Sequence, residues 1–528
     1  MEPRRRWVLL ATILGSAVVF LDGTVVNVAL KVIGSELPSE VLGQLEGLTY
    51  VNAGYLVVLA ALLILAGAAG DRYGRRRVFA IGLVGFGATS VACGLAPTLE
   101  VLVLARLLQG ASGALLVPGS LAIITASFAG EERGRAFGLW AAATSATIVL
   151  GPIVGGVLVQ AVSWRAAFLI NVPLVLVALF ALRFVAESRD AGARRRLDWL
   201  GAALIALAIG GLSFGAIRGQ DSRWSDPIAF VALGVGAVAL VAFPVVMARR
   251  PDPLVPLGLF RDRAFATINL STLVVYGALY MYLAFLALFL QGTLGYSPLA
   301  SGIAAAIPAL LMTFLSTSSG RVAARVGPRR FLVIGPLLMA AGLAWLIRVP
   351  ADSAAWTATL DDPASLVPPT DALVDLGPAM VVYGLGIALL VAPLTTALMA
   401  SVPLERAGLG SAINNAVSRV GAPLAGAALF VVVSASFYPT VASLVPGLEL
   451  DDPIVQELEP LVPPGPDVPP EIVDAAAEAS TQAFHLAMAV ASAMLLAGAV
   501  INGVGLRGPT RVGAAAHPDQ EPDPPGGG

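Results

Sequence analysis

Long apolar runs divide this sequence, and they limit the folds open to it more than any other feature. Each run is about 18 residues or longer, enough for a helix to cross the hydrocarbon core of a bilayer. Fourteen predicted spans lie near residues 7–30, 47–69, 78–96, 99–125, 136–159, 168–185, 199–217, 228–247, 265–290, 299–319, 331–347, 377–400, 409–434 and 480–505. The pattern predicts an all-α polytopic membrane protein with 14 transmembrane helices.

Charged residues are too scarce for a soluble protein of this size. They make up 12% of the 528 residues, and a soluble domain has about 25%. The 56 glycines suit close helix packing in lipid, and the net charge of −2 does not indicate nucleic-acid binding. Cys93 is the only cysteine, so an intrachain disulfide is excluded, and we expect no metal site.

The distribution of arginine predicts the orientation, because basic loops stay on the cytoplasmic side. With the N-terminus inside, most arginines fall in cytoplasmic loops, and the long outside loops at 349–376 and 436–478 contain no Lys or Arg. Both termini are then cytoplasmic. Within the acidic loop, residues 471–480 are a candidate extension of the last helix, and we expect the tail at 508–528 to be disordered.

A repeated loop indicates that the chain contains two similar halves. The segment from Gly67 to Arg77 matches the segment from Gly320 to Arg330 at a constant offset, including Gly67, Arg72, Gly74, Arg76 and Arg77. Two parallel repeats of six helices are typical of one class of secondary transporter. The predicted domains are an N-terminal bundle at 1–186, a linker with two extra helices at 187–264, a C-terminal bundle at 265–507 and the tail at 508–528.

Asp22 is a carboxylate inside the first apolar run. A charge at that depth costs on the order of several kcal/mol, so such residues face a bundle interior or a water-filled cavity, and we expect the rest of the chain to supply that cavity. Arg106 and Gln109, three residues apart in the fourth span, are its candidate partners. The alternative for Arg106 is that its side chain extends to the outer interface.

Two further motifs involve glycine. Gly67 and Gly74 permit a tight turn, in which Asp71 and neighbouring arginines can pair across the bundle and act as a gate. The alternative is a turn with ordinary cytoplasmic arginines. In the fifth span, the segment from Gly151 to Gly156 combines a proline kink with glycines that allow close packing.

Together, these motifs and the first-helix pattern from Leu21 to Leu30 resemble the major facilitator superfamily. With fourteen spans, the sequence resembles its drug:proton antiporter family, the multidrug efflux branch, and segments 164–173, 198–201, 295–298 and 408–412 also match. Departures are Ala69 and Tyr50, where the family usually has leucine and tryptophan. Spans nine to thirteen have no acid in their apolar interior, which disfavours dicationic drugs as substrates.

The resemblance implies a role for each matching residue. It implies that Asp22 is the proton-coupling acid and that Arg106 is its proton-transfer partner. The implied sets are a coupling and substrate site of Asp22, Asn27, Arg106 and Gln109; an antiporter motif of Gly151, Pro152, Gly155 and Gly156; and a cytoplasmic gate of Gly67, Asp71, Arg72, Gly74, Arg75 and Arg76.

The C-terminal half offers three candidate substrate contacts in span thirteen. Asn414, Asn415 and Arg419 suit an anionic or polar substrate, and the alternative for Arg419 is to hold the interface with the inserted helices. His485, early in span fourteen, is interpreted as a satisfied interfacial residue rather than a pH-sensitive group.

These features predict a proton-coupled efflux transporter that exports amphipathic drugs or other hydrophobic small molecules by alternating access. We expect a multi-pass protein of the cell membrane that acts as a monomer, with no cofactor beyond the proton gradient. Its expected partners are a small-molecule substrate, protons and the lipid bilayer. The alternatives are a dedicated exporter of one metabolite or lipid and a non-transporting sensor. An enzyme is disfavoured, because the first thirteen spans contain no histidine.

Overall fold

The computed structural model describes most of the chain. The described residues are 3–39, 44–189, 198–221, 225–251, 253–359, 361–403, 406–450, 452–458, 460–465 and 468–506. Within these ranges the secondary structure is helical, with no strand. The predicted disordered tail at 508–528 lies outside the described residues.

The α-helices, numbered in chain order, are α1 (Pro3–Glu36), α2 (Gln44–Tyr73), α3 (Arg75–Gly94), α4 (Leu99–Ala114), α5 (Val117–Ser127), α6 (Gly130–Ala161), α7 (Ala166–Leu169), α8 (Asn171–Leu182), α9 (Trp199–Asp221), α10 (Pro227–Arg249), α11 (Arg263–Leu288), α12 (Pro298–Val326), α13 (Arg329–Leu346), α14 (Thr370–Asp375), α15 (Gly377–Ala400), α16 (Ala407–Leu444), α17 (Pro453–Glu457) and α18 (Pro470–Gly505). Short 3-10 helices occupy Leu257–Arg261 and Pro363–Leu366, and a π-helical turn occupies Phe289–Thr293.

These helices cover the apolar runs that the sequence analysis identified. In the described part of the chain, 11 helical segments are long and apolar enough to cross a membrane. Two predicted spans are each divided into two helices: α4 and α5 are separated next to Pro118, and α7 and α8 are separated at Ile170. Proline explains the first break, because its ring cannot continue a helix from the preceding turn without a clash.

The predicted outside loop at 436–478 is partly helical, which corrects its boundaries. The α16 helix continues to Leu444, and α18 begins at Pro470. The expected extension of the last helix over 471–480 is therefore confirmed. Both extensions bury apolar side chains, such as Phe437 and Ile472, against one another. The favourable free energy of this burial explains why the segment is helical despite its acidic composition.

Polar residues begin several of these helices. Asp226 accepts a hydrogen bond from the N–H of Ile228 at 2.8 Å at the start of α10, and Asp262 caps α11 in the same way. The Ile228 N–H, with a contribution from the Arg218 guanidinium, lowers the pKa of the Asp226 carboxyl. Such caps satisfy N–H groups that have no partner within the helix.

The two halves meet through two similar helix pairs. A methyl group at Gly67 in α2 would lie 2.5 Å from the Cβ of Ala412 in α16. A methyl group at Gly138 in α6 would lie 2.7 Å from the Cα of Thr317 in α12. Both contacts lie near the end of the bundle at which α1 begins. This end carries the arginines of the two repeated loops, at 67–77 and 320–330, and we term it the arginine-rich face. Because α2 and α12 carry the repeated loops, the two contacts are equivalent under the repeat.

The inserted helices α9 and α10 form a hairpin that lies against α2. Phe214 in α9 stacks on Tyr50 in α2, with ring centroids 5.9 Å apart, and Arg218 donates a hydrogen bond to the Tyr50 hydroxyl at 2.8 Å. Tyr50, which departs from the family pattern, therefore anchors the insertion. At the other end, buried Asp198 forms an ion pair with Arg250 at 3.3 Å.

A matched pair of glycines in α10 tests the hairpin packing. A methyl group at Gly236 would come within 2.6 Å of the Leu212 backbone nitrogen, whereas nothing lies within 4 Å of one at Gly234. We expect Gly236→Ala to lower the stability by about 1–3 kcal/mol, because the backbone cannot yield. Gly234→Ala gains helix propensity at no steric cost. Thermal unfolding of both purified variants in detergent checks this; equal unfolding temperatures would contradict the described packing.

Candidate functional site

Asp22 lies in α1 with its side chain fully buried. Its Oδ2 atom forms an ion pair and accepts a hydrogen bond from Arg106 Nη1. Its Oδ1 atom accepts hydrogen bonds from Gln109 Nε2 and Asn171 Nδ2, both at 3.0 Å. Three donors around one carboxylate replace hydrogen bonds that the carboxylate would otherwise make with water.

Arg106 holds the opposite charge of this pair from α4. Its Nε donates to the backbone carbonyl of Val51 at 2.8 Å, and its guanidinium lies over the Tyr55 ring, 4.1 Å from the centroid. The side chain is 0% exposed, so the alternative that it extends to the interface is wrong. Arg106 Nη2 has no hydrogen-bond partner among the described residues.

Gln109 connects the two charged groups. Its Oε1 accepts a hydrogen bond from Arg106 Nη1 at 2.7 Å, and its Nε2 donates to Ser90 Oγ at 2.9 Å. The Cys93 thiol also donates to Gln109 Oε1, at 3.5 Å. Because a guanidinium only donates and a carboxylate only accepts, the Gln109 amide has one orientation compatible with both neighbours.

The sequence analysis did not identify Ser90 or Asn171 as part of this site. Asn171 begins α8 and, like Ser90 in α3, is fully buried. A signal was present, because Asn171 is a polar residue within the apolar run of the predicted sixth span, as Asp22 is in the first. The four residues Asp22, Arg106, Gln109 and Asn171 and the hydroxyl of Ser90 form one group, which we term the Asp22 cluster.

The position of the Asp22 cluster corrects one expectation about the acid. The sequence predicts a water-filled cavity around Asp22, but the Asp22 side chain is 0% exposed and its hydrogen-bond partners come from α4 and α8 of its own half. The cluster therefore lies inside the N-terminal half rather than in an open space between the halves.

The predicted antiporter motif places α6 directly against α1 beside Asp22. A methyl group at Gly151 would overlap the Thr24 hydroxyl, and one at Gly155 would lie 3.1 Å from the Val25 carbonyl oxygen. Thr24 is two residues after Asp22. The glycines of α6 therefore let the helix touch the segment of α1 that carries the buried acid.

The predicted gate connects the two halves at the arginine-rich face. The Asp71 carboxylate accepts hydrogen bonds from the backbone N–H groups of Leu409 at 2.9 Å and Gly408 at 3.3 Å, in the first turn of α16. Arg75 pairs with the same carboxylate at 2.9 Å. An anion at a helix N-terminus is favourable because it satisfies free N–H groups and interacts with the helix dipole. We term this contact the Asp71 latch.

The other gate residues support the turn that carries the latch. Gly74 has a φ of 108°, a conformation in which a side chain is strained. The backbone N–H groups of Arg76 and Arg77 donate to the Glu187 carboxylate at 3.0 and 3.2 Å. The Arg72 guanidinium lies 4.9 Å from the centroid of a neighbouring tyrosine ring.

A second ion pair joins the halves at the same face. Arg325, in the repeated loop at the end of α12, pairs with Glu131 at the start of α6 at 2.6 Å. Both side chains are more than half exposed, so this pair contributes little to stability. The ion pair nevertheless joins α6 to α12 at this face, as the Asp71 latch joins α2 to α16.

The candidate contacts in the C-terminal half are engaged within that half. Asn414 is buried and donates to Thr272 Oγ1 at 2.9 Å, in α11. Asn415 donates to the Ser411 carbonyl at 3.0 Å, one turn earlier in its own helix. His485 Nε2 lies 2.8 Å from the Val349 carbonyl oxygen, in agreement with a satisfied interfacial residue.

Four predicted site residues belong to helices, but the surroundings of their side chains lie outside the described residues. They are Asn27 in α1, Pro152 and Gly156 in α6, and Arg419 in α16. Within the described ranges, no three His, Cys, Asp or Glu side chains converge as a set that could hold a metal ion.

Sequence comparisons place this chain among transporters. The family model of the Major Facilitator Superfamily matches residues 12–426. The chain is 35% identical over 442 residues to the puromycin resistance protein pur8 of Streptomyces alboniger, covering 82% of each chain. It is 34% identical to the multidrug resistance protein Stp of Mycobacterium tuberculosis H37Rv, covering 83% of this chain and 78% of Stp. It is 32% identical to the tetracenomycin C resistance and export protein of Streptomyces glaucescens, covering 81% and 76%.

Solved structures with little sequence similarity share the fold. The human organic anion transporter MFSD10 aligns with a TM-score of 0.59 at 16% identity, covering 95% of this chain and 100% of that chain. The proton:xylose symporter XylE aligns with a TM-score of 0.56 at 14% identity, covering 94% of each chain. At these identities the similarity concerns the fold alone.

The buried ion pair predicts unequal effects of single and double substitutions. Arg106→Gln leaves the Asp22 charge buried without a counter-ion, and we expect it to destabilise the protein by about 3–5 kcal/mol. Adding Asp22→Asn removes that charge, so the double variant should recover much of the loss. Thermal unfolding in detergent measures both variants. Arg325→Gln, which breaks an exposed pair, is the control and should change the stability by less than about 1 kcal/mol. A double variant less stable than Arg106→Gln alone would contradict this assignment.

Proposed function

This chain belongs to the Major Facilitator Superfamily, and we propose that it exports amphipathic drugs or other hydrophobic small molecules in exchange for protons. It is a multi-pass membrane protein of a family of transporters. Relatives at 32–35% identity over about four fifths of the chain are named for resistance to, or export of, antibiotics. The observation that carries the proton-coupled part of the proposal is the buried, hydrogen-bonded ion pair between Asp22 and Arg106.

We propose that all fourteen apolar segments cross the membrane, with both termini in the cytoplasm. The arginine-rich face is then cytoplasmic, in agreement with the retention of basic loops on that side. In this proposal the chain consists of bundles at 1–186 and 265–507, joined by the linker and helix pair at 187–264. The equivalent contacts of α2 with α16 and of α6 with α12 support this division.

Protonation of Asp22 is the proposed coupling step. A proton on the carboxyl removes its charge and so ends the ion pair with Arg106, whose guanidinium then lies buried without a counter-ion. The free-energy cost of this unpaired guanidinium favours a rearrangement of α1 and α4. The electrochemical gradient of protons supplies the driving force in this proposal, and no cofactor takes part.

The Asp71 latch is the proposed gate on the cytoplasmic side. In the described structure it joins α2 to the first turn of α16, and Arg325 joins α12 to α6 at the same face. Both contacts must separate before a substrate can enter from the cytoplasm. We therefore assign this structure to a state closed on that side.

A dedicated exporter of one compound is the second candidate function. Some relatives are named for single compounds, such as the tetracenomycin C resistance and export protein and the probable actinorhodin transporter of Streptomyces coelicolor. A panel of substrates in proteoliposomes separates the two functions. Transport of one compound alone favours the dedicated exporter, and transport of several unrelated compounds favours multidrug efflux.

Asp22→Asn tests the proposed coupling directly. The variant keeps the size and much of the hydrogen bonding of Asp22 but carries no titratable proton. We expect gradient-driven efflux of puromycin, tetracenomycin C or ethidium from proteoliposomes to fall at least about 100-fold, because coupling requires a group that ionises at this site. Binding of the transported compound in detergent should persist. Normal gradient-driven efflux by a correctly folded Asp22→Asn variant would refute the coupling role.

Asp71→Ala tests the gate. Loss of the bonds to Arg75 and to the N-terminus of α16 should destabilise the closed state by about 1.5–3 kcal/mol, the usual contribution of hydrogen bonds to a charged group. Arg77 and Arg406 are both exposed in the native protein, and each is replaced by a cysteine that carries a spin label. In the Asp71→Ala background, the distribution of distances between the two labels should then contain an additional, longer component. Native Cys93 is buried, which protects it from labelling.

Glu131→Gln is the matched control for the gate, because it breaks an exposed ion pair at the same face. It should leave the distance distribution unchanged. An Asp71→Ala distribution identical to that of the wild type would rule out a gating role for the latch.

A further inference from the structure

Asn171 has a side-chain carbonyl oxygen that is buried and accepts no hydrogen bond from the described residues. Its Nδ2 donates to Asp22 Oδ1 at 3.0 Å and to Ser90 Oγ at 3.3 Å. Its Oδ1 has no hydrogen-bond partner among the described residues, and the side chain is 0% exposed. A buried carbonyl without a donor is unfavourable, so this arrangement requires an explanation.

The charge of Asp22 explains the orientation of the Asn171 amide. An ionised carboxylate can only accept hydrogen bonds, so the amide must present its NH₂ group to Asp22, which turns the carbonyl away. A protonated Asp22 has the opposite requirement. Its new O–H group is a donor and needs an acceptor within reach.

Gln109 cannot supply that acceptor. Its Oε1 already accepts a hydrogen bond from Arg106 Nη1 at 2.7 Å. A rotation of this amide would place its NH₂ group against the guanidinium, which only donates. Asn171 has no such restriction. A rotation ends the two bonds that its Nδ2 donates to Asp22 Oδ1 and Ser90 Oγ, and both contacts can re-form with the amide carbonyl as the acceptor.

We propose that the side-chain amide of Asn171 rotates by half a turn when Asp22 binds the transported proton, so that its carbonyl accepts the new Asp22 O–H. This inference rests on the proposed function of Asp22 as the coupling acid. The proton forms one O–H bond with a carboxylate oxygen, and no other covalent bond changes. Asn171 is thus a positioning residue for the protonated state.

Ser90 can follow this rotation without losing its bond to Asn171. In the ionised state its hydroxyl oxygen accepts from Asn171 Nδ2 at 3.3 Å. After the rotation, the hydroxyl donates to Asn171 Oδ1 instead, because a hydroxyl can both donate and accept. Gln109 Nε2 continues to donate to Ser90 Oγ in both states.

The other charged or titratable groups around Asp22 do not replace Asn171 as the acceptor. Among the described side chains these are Arg106 on α4, Cys93 on α3 and Tyr55 on α2. Arg106 only donates. The described hydrogen bonds of the Cys93 thiol and the Tyr55 hydroxyl go to Gln109 Oε1 and to the Val19 carbonyl, and neither goes to the Asp22 carboxylate. The Asn171 carbonyl is the acceptor that a rotation within the Asp22 cluster makes available.

Infrared difference spectroscopy on the reconstituted full chain tests the rotation. The protein carries asparagine labelled with ¹³C in the side-chain amide, and spectra are compared between acidic and alkaline pH. We expect a band from the protonated Asp22 carboxyl, identified by its loss in Asp22→Asn, together with a shift of one labelled amide band. Asn171→Leu should lose the amide shift and move the carboxyl band to the frequency of an unbonded acid.

Ser90→Ala is the matched control, because it removes a hydrogen bond from the same amide but leaves the acceptor for Asp22 in place. The amide shift should persist in this variant. An amide band that does not respond to protonation of Asp22 in the wild type would overturn the inference, and this result does not depend on whether Asn171→Leu folds.

Transport provides a second readout. Asn171→Leu should reduce gradient-driven puromycin efflux at least tenfold, equivalent to about 1.4 kcal/mol. Asn171→Ser, whose hydroxyl donates or accepts without an amide rotation, should restore efflux to within about threefold of the wild type. Wild-type efflux in Asn171→Leu would overturn the inference. A wild type that transports no compound refutes the proposed function instead, while the infrared shift still decides the rotation.

Discussion

The buried ion pair between Asp22 and Arg106 is the constraint on which the N-terminal half depends. Neither charge is stable at membrane depth alone, and even the pair requires further polar partners. Those partners come from several helices: Gln109 from the α4 helix that also carries Arg106, Asn171 from α8, and the Val51 carbonyl from α2. The assembly of these helices therefore creates the environment in which the acid can be charged.

The α6 helix connects the buried acid with the interface between the halves. Its glycines at 151 and 155 contact α1 beside Asp22, and Gly138 in its first half contacts α12 across the interface. In our account, a change in the charge of Asp22 moves α1 and is transmitted through α6 to the helix pair at the arginine-rich face. Coupling then needs no direct contact between the proton site and the substrate.

The sequence predicted the helices well, because apolar runs of sufficient length have few other stable conformations. It also predicted Arg106 and Gln109 as partners of Asp22, since their spacing places them on one face of α4. It did not predict that the Asp22 cluster would close completely, because Asn171 and Ser90 come from distant segments. Nor did it show that Asp71 would bind the first turn of α16, 337 residues away, because that contact depends on how the halves dock.

Substrate-induced proton release tests the central claim most directly, because it measures the charge of the coupling group without a membrane. A compound that the vesicle assay shows to be transported is added to the purified protein in weakly buffered detergent solution, at a pH at which the infrared band shows Asp22 to be protonated, and the change in pH is recorded. If Asp22 exchanges its proton for substrate, the wild type releases protons in proportion to bound compound and Asp22→Asn releases none. Equal release by both proteins, or binding without release by the wild type, would contradict the account.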